Sequence, residues 1–165
     1  MAHGGGLAAF TAKSSVAAEL ALIDDAGPLY AQADADEPQH EAVAQILTGE
    51  RETLVTTELV IAEADHLILE RLGLEVELDF LADLARGTFV VECLTREELR
   101  LAREVVERYG SLRLGLADAS LVVLAQRYRS HRILTFDERA FWTALPLQGG
   151  TFVLLPSDAA GRGRR

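Results

Sequence analysis

The sequence has one cysteine, four prolines and no long uninterrupted apolar stretch, and each scarcity closes off a class of protein. A single Cys93 cannot form an intramolecular disulfide, so the chain does not read as a stapled secreted scaffold, and a reducing cytoplasm is its expected compartment. No segment approaches the roughly 18 consecutive apolar residues of a membrane span, and no membrane partner is expected. The opening MAHGGGLAAFTAKSS lacks the basic start and long apolar stretch of a secretory signal. It is rich in Gly, Ala and Ser, and residues 1–18 are expected to form a flexible extension. There is no internal repeat and no Pro/Ser-rich linker. Positive charge is also scarce: the formal net charge is −10. That argues against broad, non-specific nucleic-acid binding, which runs on phosphate neutralisation by Lys and Arg. It leaves room for a nuclease, because a metal site needs carboxylates and the ions bring local positive charge.

What is present is a globular pattern. The chain has 165 residues, 49% of them hydrophobic. That length favours one domain, able to bury roughly 70% of the surface its unfolded chain exposes. The domain is expected over residues 19–157, followed by a disordered basic tail over 158–165 with Arg162, Arg164 and Arg165. A second basic cluster, Arg127, Arg129, Arg132 and Arg139, reads as a solvated surface or an anion contact.

Residues 20–23 form a short apolar run stopped by Asp24-Asp25-Ala26-Gly27-Pro28, which suggests a buried strand followed by a turn. Pro38 suits the first turn of a helix that Gly49 closes, with Ala42, Val43, Ile46 and Leu47 at helical spacing. Residues 53–57 have strand composition, 58–72 and 75–86 helical spacing. Residues 88–94, which hold Cys93, read as a strand. Thr95 and Glu98 fit a capping box opening a helix to about residue 109. Residues 116–128 read as a buried helix, 132–135 as a strand, 140–145 as a short helix and 151–155 as a last strand. The order β-α-β-α-α-β-α-α-β-α-β predicts an α/β fold, a parallel sheet with helices on both faces. In such sheets sites lie beyond the carboxyl ends of the strands.

Four acids then stand out. Asp25 and Asp137 follow predicted strands and would project from the same sheet edge. Asp118 opens the buried helix, and Glu63 sits within the apolar run LVIAEA. For Glu63 and Asp118 the residues one turn away are apolar, so the sequence predicts a partner from elsewhere, a distant Arg or a cation. Each acid also has a plainer role: Asp25 could shape a turn, Asp118 could serve a helix start through the macrodipole, and Asp137 could cap the next helix. Oxygen donors without a Cys/His cluster favour Mg²⁺ or Mn²⁺ over zinc. Such ions polarise a phosphodiester and activate water near neutral pH.

The segments LIDDAGPLYA, LVTTELVIAEADHLILERLG, GTFVVECLT, LGLADASLVVLAQRYRSHRILTFDERAF and FVLLP, in this order, resemble PIN-domain proteins, and more narrowly the VapC toxins of VapBC toxin–antitoxin systems. The resemblance spans about residues 20–156. It implies a PIN-like sheet with an acidic pocket at its C-terminal edge, metal-dependent RNA cleavage, a homodimer, and inhibition by a cognate VapB-like antitoxin. It assigns Asp25, Glu63, Asp118 and Asp137 as catalytic and metal-binding residues. Asp24 falls at a flanking variable position, and Thr135 is assigned a supporting hydroxyl. Arg139 is a candidate phosphate contact. Two departures stand out: Ala26 replaces the Ser or Thr that many relatives carry, and His40 alone remains where many carry two histidines. His40 is expected on a helix surface, His66 in packing or on the surface, His131 in a loop, and Phe141 and Trp142 in the core or at a rim. The expected function is a toxin endoribonuclease. Its rivals are a solitary PIN nuclease in RNA processing and an antitoxin-bound RNA- or DNA-binding regulator. A small-substrate phosphohydrolase is disfavoured by the lack of a Gly-rich phosphate loop and a nucleophile motif.

Overall fold

The computed structural model describes residues 21–159. The expected N-terminal extension and most of the expected basic tail lie outside the described residues. Strand β1 (Ala21–Asp24) is followed by α1 (Ala26–Ala33), α2 (His40–Gly49), β2 (Thr53–Thr57), α3 (Glu58–Leu72), α4 (Leu74–Ala85) and β3 (Val90–Glu92). Then come α5 (Arg96–Arg108), a 3₁₀ turn (Gly110–Leu112), α6 (Leu116–Arg127), β4 (Arg132–Leu134), α7 (Glu138–Thr143) and β5 (Val153–Leu155). All strand pairings are parallel, in the order β3-β2-β1-β4-β5.

Side chains alternate across a strand, and both faces of the sheet are covered. Ile23, Val55, Ile133 and Leu154 join the larger core with Val60, Ala64 and Ile68 of α3 and the 121–125 stretch of α6. Leu22, Leu134 and Leu155 join a smaller core with Ala31 of α1 and Val43 of α2. An apolar stripe at 60, 64 and 68 is what a period near 3.6 produces on a helix packed along one side. The capping box of α5 is formed: the Thr95 hydroxyl accepts from the Glu98 N–H, and Glu98 accepts from the Thr95 N–H at 2.8 Å.

One element departs from the pattern read in the sequence. The Gly27-Pro28 pair, expected to form a turn, lies inside the first turn of α1. The first N–H groups of a helix have no intrahelical acceptor, so a proline there loses nothing and its fixed φ suits the helix. Asp25 caps that helix, accepting from the Ala26 N–H at 2.7 Å. The strand expected over 88–94 shrinks to three residues, and Cys93 is exposed, donating to Glu58 at 3.0 Å.

Of the expected basic cluster, Arg129 and Arg139 are exposed, while Arg127 and Arg132 are held in ion pairs. Arg127 is held by Glu92 at 2.7 Å and by Glu98 at 2.6 Å, with a further bond to the Cys93 carbonyl. Its guanidinium pulls the Glu98 carboxyl down to about 2. Arg132 pairs with Glu50 at 2.9 Å and Glu52 at 2.5 Å. Both arginines join elements of the fold, α6 to β3 and α5, and β4 to the segment before β2. His40 likewise faces inward, with Nδ1 2.7 Å from the Ala31 carbonyl oxygen, tying α2 to α1. Phe141 is core, edge-on to Phe152, while Trp142 is exposed.

Candidate acidic active site

The strand order reverses direction at β1: β2 and β3 lie to one side, β4 and β5 to the other. A parallel sheet opens a crevice beyond the carboxyl ends of its strands at such a point. Asp25 directly follows β1, and Thr135 and Asp137 follow β4. The backbone joins them, with the Asp25 N–H donating to the Leu134 carbonyl at 3.1 Å.

Thr135 is fully buried and links the two acids. Its hydroxyl donates to Asp25 Oδ2 at 2.6 Å and accepts from the Asp137 N–H at 3.0 Å. Together with the Ala26 amide on Oδ1, it leaves each Asp25 oxygen with one partner and both oxygens with lone pairs to spare. Asp137 caps α7, its Oδ1 accepting from the Ala140 N–H at 2.9 Å. Asp118 sits in the first turn of α6 and accepts from the Gly115 N–H at 2.9 Å. A local partner does exist for Asp118, contrary to the expectation from spacing: it is backbone at the helix start, which side-chain spacing cannot reveal. Glu63 is also corrected. It lies outside the 60/64/68 stripe and its side chain is exposed rather than sunk in the apolar core, so only partial desolvation bears on it.

Burial is therefore graded. Asp25 is 9% exposed, Asp118 is half-buried, and Glu63 and Asp137 are open to solvent. Electrostatics bring the four together. Burial pushes the Asp25 carboxyl up to about 6, against the hydrogen bonds from Thr135 and Ala26 and with the charges of Asp118 and Glu63. Burial and the Asp118 charge raise Glu63. Burial, opposed by the Gly115 amide and helped by the Asp137 charge, raises Asp118. None of the four has a basic ion-pair partner within 4 Å among the described residues. Arg139 is exposed two residues beyond Asp137.

The donor set is all oxygen, which suits a hard divalent cation. Among the described residues no three His, Cys, Asp or Glu side chains are close enough to ligate one ion together. His66 is exposed and faces Glu70 at 3.7 Å, and His131 bonds the Gly149 carbonyl, so neither joins the acids.

Asp24, placed at a flanking position by the resemblance, proves to be the most deeply buried of these acids. It is fully buried, and neither carboxylate oxygen has a hydrogen-bond partner. Burial raises it well above the ordinary range, helped by the Asp25 charge. The neighbouring Asp25 amide opposes this only weakly, being committed to Leu134. Its signal was the unusual Asp-Asp pair ending an apolar strand.

The PIN domain family profile matches residues 24–144. The chain is 39% identical to Ribonuclease VapC26 of Mycobacterium tuberculosis over 135 residues, 82% of this chain and all of that one. Its fold resembles M. tuberculosis VapC20, a sarcin–ricin-loop-cleaving toxin, with a TM-score of 0.67 at 17% identity, covering 72% of this chain and 92% of that one. It also resembles the VapBC2 structure from Rickettsia felis bound to a fragment of its promoter DNA, with a TM-score of 0.56 at 10% identity, covering 82% and 97%. Among the described residues no helix is long and apolar enough to cross a membrane. With four coupled carboxylates at the switch point of a five-stranded parallel sheet, and with this likeness over nearly all its described length, the chain belongs to the PIN-domain family, in its VapC branch.

Proposed function

We propose that the chain is a Mg²⁺-dependent endoribonuclease, with Mn²⁺ as an alternative ion, acting in the cytoplasm as the toxin of a toxin–antitoxin pair. Its substrate is RNA, its inhibitor a VapB-like antitoxin, and its working form a homodimer. The observation that carries this reading is the cluster of four carboxylates without cationic partners, in a chain 39% identical to a ribonuclease over that relative's full length.

Asp25, Glu63, Asp118 and Asp137 would hold the ion directly or through its own waters, several of which Mg²⁺ keeps. When bound, it supplies Lewis acidity at the scissile phosphate and lowers the pKa of a nucleophilic water. The protein's own contribution is placement. Thr135 fixes Asp25 through Oδ2 and Asp137 through its amide, so both acids of the β1/β4 edge move as one unit. Burial raises Asp25, Glu63 and Asp118 first and their mutual repulsion adds to it; a divalent cation would offset both by favouring the charged carboxylates. Arg139 is free of ion pairs among the described residues and can reach for an RNA phosphate beside Asp137.

Induction of wild type should arrest growth and create discrete new RNA 5′ ends, and Asp118→Ala should do neither while remaining soluble and folded. New ends persisting in the variant would overturn the assignment.

A further inference from the structure

Beneath the acids, two buried hydroxyls meet across the core. Thr57 ends β2 and caps α3, and Ser120 lies in the first turns of α6. Their oxygens are 2.8 Å apart, 63 residues apart in sequence. Thr57 is 1% exposed and Ser120 is fully buried. The flanking bonds fix the direction of this contact. Thr57 Oγ1 accepts from the Val60 N–H at 3.3 Å, and Ser120 donates to the Ala117 carbonyl at 2.5 Å. A hydroxyl has one proton. Ser120 has spent its own on Ala117, so Thr57 donates to Ser120. The result is a continuous chain: Val60 N–H to Thr57, Thr57 to Ser120, Ser120 to the Ala117 carbonyl.

The two ends of this chain are placed where they matter. Val60 is in the first turn of α3, and Glu63 follows three residues later on the same rigid helix. The Ala117 carbonyl belongs to the peptide unit whose N–H is that of Asp118. Elsewhere α3 and α6 meet through apolar side chains of the common core, a contact that is non-directional. Hydrogen bonds are directional, and a buried link left unmade is costly, so the chain forms as a whole at one spacing.

We propose that Thr57 and Ser120 are positioning residues that set the separation of Glu63 from Asp118 and so tune the cation site. This rests on the metal-site reading above. It gives that site two braces: Thr135 for Asp25 and Asp137, and the Thr57–Ser120 pair for Glu63 and Asp118.

The test is Mn²⁺ affinity by calorimetry, well below the unfolding temperature, on the whole chain. The variants are Ser120→Ala, Thr57→Ser, the double Thr57→Val/Ser120→Ala, and Asp118→Asn as control. Removing both hydroxyls leaves no orphaned hydroxyl between them but uncaps the Val60 N–H, so the double variant should be less stable than wild type yet remain folded at the temperature of the measurement. It should still bind Mn²⁺ roughly 10–100-fold more weakly, the usual loss when an outer support of a metal site is removed. Ser120→Ala should fall in the same range, and Thr57→Ser should bind as wild type. Folded Ser120→Ala and double variants with wild-type affinity, beside an Asp118→Asn that has lost binding, would overturn the positioning role alone. Wild type that fails to bind Mn²⁺, or Asp118→Asn that binds unchanged, would overturn the metal site and the brace together.

Discussion

Asp25 has a partner for each carboxylate oxygen, and Asp24, one residue earlier, has none. The difference separates an acid proposed to hold a cation from one that only costs stability. For Asp25 the key contact is Thr135. Thr135→Val keeps the side-chain shape but removes the donor to Asp25 and the acceptor for Asp137. Metal affinity should drop roughly 10–100-fold, and cleavage with it, while Thr135→Ser retains both. Wild-type cleavage by Thr135→Val would contradict the coupling. For Asp24 the prediction concerns stability. Its folded pKa lies above the value of 3.8 it has when unfolded, so its penalty is absent below about pH 4 and grows as pH rises. Asp24→Val should stabilise the chelated protein by about 1–3 kcal/mol in urea unfolding, more at pH 7 than at pH 4.5. Equal midpoints at both pH values would show that Asp24 finds a partner in solution.

At the scale of elements, α1 approaches the loop after β4 closely enough that any side chain at Gly27 must displace its neighbour. A methyl at Gly27 would lie 3.0 Å from the Phe136 ring. Phe136 precedes Asp137, so Gly27→Ala should displace the β4–α7 loop and reduce cleavage more than stability. A variant with unchanged turnover would show that the ring yields freely. The start of α1 was illegible in the sequence. Gly27-Pro28 carries the usual mark of a stop, and only the Asp25 cap turns the same residues into a helix start. Where a signal is local, the sequence was readable: β2 and α3 have the bounds their composition implies, and the Thr95 capping box forms. Where a contact is long-range, it was not. Arg127 finds Glu92 and Glu98 some 35 and 29 residues away, which no spacing rule anticipates. The apolar run around Glu63 implies burial, yet its side chain is exposed, and what joins it to the others is its charge interaction with Asp118.

For the whole molecule, the acids make stability, pH and metal a single problem. Asp25 is raised from 3.8 to about 6, so its contribution to stability is lost as pH rises through that interval. The loss is about 2–3 kcal/mol for a shift of that size. Metal-free protein should therefore melt at a lower temperature at pH 7 than at pH 5, and added Mg²⁺ or Mn²⁺ should recover more stability at pH 7. A melting temperature independent of pH and of metal would contradict the coupling of the acids. With a net charge of −10, broad non-specific RNA binding is disfavoured, and the proposed reading places productive binding at the acidic site.

The most direct measurement is RNA cleavage by chelated, purified wild type and Asp118→Ala, with and without Mg²⁺ added back. The account predicts cleavage by wild type only after Mg²⁺ is restored, and none by a folded Asp118→Ala at any Mg²⁺ concentration. Cleavage that survives chelation, or that Asp118→Ala retains, would contradict it.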